Sequence, residues 1–147
     1  MSEQLTPAEQ NELLEEITLV LVHTLPAAYE ECVVVHRALG SHSETLGQVR
    51  KVSGPGFPSL WTPPPAVGEL FDRLRSGMYA EGLGTWFSAK FRLTYPFTYS
   101  VEYDRDNEPR WAEPPPEAAY AEELELYPRA PEDVPDWLRA KQPSGGA

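Results

Sequence analysis

A chain of 147 residues, 41% of them hydrophobic, has enough apolar surface for one packed domain, which excludes intrinsic disorder. A net charge of −11 repels nucleic acid and anionic lipid and draws cationic surfaces instead. A lone cysteine, Cys32, excludes an internal disulfide framework; with no charged-then-apolar leader and no apolar run near the ~20 residues of a bilayer span, the expected compartment is the cytosol.

Thr6-Pro7-Ala8-Glu9 reads as a helix start: Thr6 caps, Pro7 suits the first turn and Glu9 closes a capping box. The helix is expected to run to about Leu25, with Leu13, Leu14, Ile17, Val20, Leu21 and Leu25 as its buried stripe, and Pro26 ends it. Residues 31–39 are β-branched and apolar, a strand in which Cys32 is core filler and His36 a partly buried sheet residue. Gly40 to Ser43 is turn material that includes His42, and 44–52 reads as a weaker strand. A connection rich in proline and glycine follows, then a helix from Pro64 to about Tyr79 with Val67, Leu70, Phe71 and Leu74 inward.

Residues 86–95 and 97–103 each alternate with period two, the pattern of strands with one buried face. If they form a hairpin, buried positions must oppose buried positions, so odd residues pair with odd. A two-residue loop at Tyr95-Pro96 breaks that rule; a three- or five-residue loop around Pro96 satisfies it and sets Glu102 opposite Lys90 or Arg92. Further helices are expected from about Glu117 to Leu126 and, as one or two turns, over 131–138. The sum is an α+β domain over residues 1–141, an antiparallel sheet of about four strands with an N-terminal helix, a mid-chain helix and short C-terminal helices, followed by a flexible tail at 142–147.

The charge is unevenly spread. Residues 102–136 hold 12 of the 23 acids and only three basic residues, so −9 of the −11 lies in about a quarter of the chain. The densest stretch is Tyr103-Asp104-Arg105-Asp106-Asn107-Glu108-Pro109-Arg110-Trp111. Asp104, Asp106 and Glu108 take the places of the first, third and fifth ligands of an EF-hand loop, but the sixth place, which needs glycine, is Pro109, and the twelfth, which needs glutamate, is Pro115. His23, His36 and His42 lack zinc spacing, and no nucleophile elbow, phosphate loop or dinucleotide fingerprint occurs. No catalytic, cofactor or metal residue is therefore assigned.

Recognition is the remaining reading of the acidic stretch. Tyr103 ends the buried alternation, so Asp104, Asp106, Glu108 and Arg110 are expected to project from a rigid hairpin, with Trp111 either plugging the domain or entering a partner's pocket. Tyr103, Asp104, Asp106, Glu108, Arg110 and Trp111 are the candidate partner-binding residues.

Gly84-Thr85-Trp86-Phe87, the strand pair ending in the acidic stretch to Trp111, and Tyr127-Pro128-Arg129 to Pro135-Asp136-Trp137-Leu138 together resemble YezG-like immunity proteins. The nearer likeness is to actinobacterial forms encoded beside toxins of the tuberculosis necrotizing toxin class. It covers roughly residues 60–140; the opening helix agrees only in type, and 40–60 agrees poorly. The resemblance implies a cytoplasmic α+β antitoxin without catalysis or cofactor. Its partner would be a cognate protein toxin with a basic substrate cleft, an NAD glycohydrolase whose NAD site it occludes. An accessory or structural domain of a toxin or secretion system is the alternative, and a metal-binding enzyme a further one.

Overall fold

The capping box at Thr6 forms as the sequence predicts: Glu9 N–H donates to Thr6 Oγ1 at 3.1 Å, and Thr6 N–H donates to Glu9 Oε1 at 2.9 Å. It opens α1 (Pro7–Thr24), which buries Leu13, Leu14, Ile17 and Leu21 and leaves Val20 and Leu25 partly covered. The computed structural model describes residues 4–52 and 57–142. After α1 come β1 (Tyr29–Leu39), β2 (His42–Lys51), β3 (Ser59–Trp61), α2 (Pro65–Gly77), β4 (Ser88–Thr94), β5 (Thr98–Asp104), α3 (Ala118–Leu126), a 3-10 turn at Pro131–Asp133 and α4 (Asp136–Ala140). No helix among the described residues is long and apolar enough to cross a membrane.

The fold is α+β, with one antiparallel sheet in the order β3-β2-β1-β4-β5. Five strands are present where about four are expected. The extra one, β3, lies in the proline- and glycine-rich connection and pairs with Gly47, Gln48 and Val49 of β2. Gly47 permits this approach, since a Cβ there would sit 2.7 Å from the Trp61 carbonyl. The second strand begins at His42, which the sequence reading placed in a turn. Of the tail expected at 142–147, only Gln142 is among the described residues, and its amide donates to the Tyr120 and Leu138 carbonyls.

The β4–β5 hairpin obeys the parity argument. Ala89 faces Tyr103, Phe91 faces Val101 and Leu93 faces Tyr99, while Lys90 faces Glu102. Its loop is the three residues Tyr95-Pro96-Phe97, with Tyr95–Pro96 cis and the Tyr29 hydroxyl donating to the Pro96 carbonyl.

Register sorts the side chains onto two faces. Cys32, Val34 and His36 of β1 share one with Ala89, Phe91 and Leu93 of β4, and α1 and α2 cover it to form the main core. The Cys32 thiol is pushed up to about 12, first by burial and then by Glu31. On the other face lie Val33, Val35, Leu46, Lys90 and Arg92. A second, smaller core gathers Leu39, Phe87, Ala119, Tyr120 and Leu138, joining the C-terminal helices to one end of the sheet.

His36 is fully buried rather than partly. Its ring stacks on Phe71 at 16°, one nitrogen meets Thr45 Oγ1 at 2.8 Å and the other meets Asp72 Oδ1 at 2.8 Å. The Asp–His–hydroxyl order resembles a nucleophile triad. The hydroxyl lies against α2, where a Cβ on Gly68 would come within 2.8 Å of it. The three groups clamp α2 to the sheet.

Candidate functional site

The acidic stretch leaves β5 as a turn that Asp104 itself organises. Asp104 Oδ1 accepts from the backbone N–H groups of Asp106 and Asn107 at 3.1 and 3.0 Å, and Oδ2 accepts from Asn107 Nδ2 at 2.9 Å. Burial pushes its carboxyl up, but these donors outweigh burial and hold it below the ordinary value. The turn is also pinned from outside. Arg129 Nη2 donates to the carbonyls of Arg105 and Thr85 at 2.9 and 2.8 Å, and Trp137 Nε1 donates to the Asp106 carbonyl at 2.8 Å. Further on, Glu44 of β2 accepts from Ala112 N–H at 2.9 Å and from Arg37 at 2.8 Å, so the chain after Trp111 is strapped to the sheet.

The six candidate residues divide accordingly. Tyr103 is half-buried with its ring 5.5 Å from Trp86, and burial, aided by Tyr99, pushes its hydroxyl up to about 12. Trp111 takes the plugging role: it packs on the second core with its ring 5.5 Å from that of His42, and its indole N–H is buried. Asp104 is engaged within the turn. Asp106, Glu108 and Arg110 remain exposed, with Asp106 Oδ1 4.0 Å from Arg105 Nε. The structure thus presents three of the six outward, engages Asp104 within the turn and packs Tyr103 and Trp111 against the domain.

Arg129 and Trp137, which fix the turn, carry no local signal of that role. Arg129 is buried over the Phe87 ring, its charge centre 4.7 Å from the centroid, and the burial draws its guanidinium down. The turn also faces the open side of the sheet, forming a cleft of about 740 Å³ whose lining includes Arg37, Lys90, Glu102 and Glu108.

Among the described residues, Glu9, Glu44, Asp104 and Glu122 each accept hydrogen bonds that hold their carboxyls below the ordinary value. Among the described residues, no three of His, Cys, Asp and Glu gather as a metal-ligand set. No known protein-family model matches the chain, and no curated protein matches it.

Proposed function

We propose that this protein is an immunity protein, an antitoxin of the YezG-like kind, that binds a cognate toxin over its basic substrate cleft and performs no catalysis. The observation that carries the reading is the pinned acidic turn: Asp106 stands exposed on a backbone fixed at residues 105–107 by Asp104, Arg129 and Trp137, and exposed Glu108 and Arg110 follow it directly. A rigid display loses little conformational freedom on binding, and its carboxylates complement a cleft of positive potential. The resemblance supplies the toxin's class. An NAD glycohydrolase holds an anionic dinucleotide, so its cleft is positive, and carboxylates on a fixed turn take the place of the substrate's charge. The cytosol is where such a toxin would be met.

Co-expression with the toxin encoded beside it tests the reading. Growth rescue and co-purification are expected, and toxin that stays lethal and unbound would overturn it. Asp106→Arg with Glu108→Arg, both exposed, should weaken the complex at least tenfold and flatten its salt dependence without lowering the melting temperature. If rescue holds and these substitutions change nothing, the turn is not the contact.

A further inference from the structure

We propose that the outer edge of β5 docks an extended segment of a basic protein, which adds as a sixth strand with apolar side chains towards α1 and lysine or arginine on the opposite side. The proposal stands whether or not that protein is a toxin.

Backbone parity comes first. Ala38 N–H donates to the Phe87 carbonyl and Tyr95 N–H donates to the Glu30 carbonyl, so the odd positions flanking β4 each direct a backbone group to β1, while the Phe87 N–H, just outside the strand, donates to the Asp104 carbonyl. Alternation then turns Ser88, Lys90, Arg92 and Thr94 to β5, where their partners are Asp104, Glu102, Ser100 and Thr98. Tyr99, Val101 and Tyr103 are left to direct N–H and C=O away from β4, on the side where the sheet has no further strand among the described residues.

Natural sheets blunt such edges with charged side chains, lysine above all, or with proline, a bulge or brevity. β5 has only the carboxylates Glu102 and Asp104, which do not repel a basic strand: its seven residues, TYSVEYD, contain no proline or lysine and pair with β4 in unbroken register. Beside the edge lies an apolar hollow of about 390 Å³ between α1 and the hairpin, lined by Thr18, Leu19, Val22, Phe97, Tyr99 and Glu15. Leu19 and Phe97 are 58% and 67% exposed there. Residues on one side of an added strand would fill it.

Charge selects the occupant. α1 carries four glutamates and β5 carries Glu102 and Asp104, yet neither element has a lysine or arginine. Glu102 lies on the sheet face away from α1, where the lysine or arginine of the added strand would stand, and Glu12 and Glu15 of α1 add to the negative potential around the edge. A second copy of the chain would set these carboxylates against themselves, whereas a basic segment meets them.

The test uses a fluorescent nine-residue peptide alternating lysine and valine, compared with a block-ordered peptide of the same composition. The alternating peptide should bind at least tenfold tighter. N-methylation of alternate amides should abolish binding in one parity and spare it in the other, with the protein unaltered. Val101→Pro, which removes an outward N–H, should cause a similar loss, and Glu102→Lys a several-fold loss with weaker salt dependence. Equal binding of the two peptides, or indifference to N-methylation in both parities, would reduce the effect to general acid–base attraction and overturn the proposal. So would sedimentation as a dimer that Val101→Pro splits, which would give the edge to a second copy.

Discussion

Asp104 opens the row of alternating acids, where its position suggests a charge offered to a partner. Both of its oxygens are instead occupied by donors of its own turn. Asp104→Ala should therefore loosen the platform and lower stability by about 1 kcal/mol at neutral pH. Its folded pKa lies below the unfolded 3.8. The carboxylate's contribution is thus fully present above that value and is lost as pH falls through the folded pKa. Urea unfolding of both proteins across pH should give a constant difference above about pH 5 that shrinks below about pH 4. A difference that grows on acidification would refute the assignment of Asp104 as the turn's organiser. The neighbouring carboxylates behave otherwise: Asp106 is 75% exposed at its side chain, so its removal should leave stability almost unchanged.

Gly68 lies inside α2, where replacing glycine with alanine ordinarily stabilises a helix by about 1 kcal/mol. Here the added Cβ would meet Thr45 Oγ1 at 2.8 Å, and Thr45 can move aside only by releasing its hydrogen bond to buried His36. Gly68→Ala should therefore destabilise by about 1–3 kcal/mol, and its sign should reverse in a Thr45→Ala background. Thermal melts of the four proteins in this cycle check it; equal effects in both backgrounds would break the link between helix and sheet at this point. Nothing local to Gly68 or Thr45 announces that contact, which joins an element before the connection to one after it. The β4–β5 hairpin was legible because seven alternating residues on each strand leave one parity open. β3 was not: three residues are too few to show a period, and its Leu60 is 86% exposed. The position of the acidic turn was legible for the same reason as the hairpin, whose buried alternation ends at Tyr103. What holds the turn was not, since Arg129 and Trp137 lie 24 and 31 residues beyond the carbonyls they bind.

The chain after β5 is both the display and its support, and a buried ion pair is among the contacts that attach it to the rest of the domain. Arg75 of α2 and Glu123 of α3 meet at 2.5 Å with side-chain exposures of 2% and 0%. Glu123 Oε1 also accepts from Gly40 N–H at 2.7 Å, while Arg75 Nε donates to the Trp86 carbonyl at 2.8 Å. Beside it, Glu122 takes the N–H and hydroxyl of Ser41, each at 2.6 Å, so α3 seals the β1–β2 turn. Gly40, at φ +60°, suits that contact, because a Cβ there would lie 2.6 Å from Glu122 Oε1. Glu123→Ala leaves the Arg75 guanidinium buried without its counter-charge and should cost about 3–5 kcal/mol. Arg75→Met with Glu123→Leu should cost less than Glu123→Ala alone, since no charge remains buried. Hydrogen exchange locates the effect. In Glu123→Ala, protection should fall first at Gly40, Ser41 and across 118–126, where the second core meets the sheet, while β1 and β4, backed by the helices of the main core, retain theirs. A uniform loss across both cores would mean that the two unfold as one unit and that the ion pair does not set the stability of the C-terminal segment.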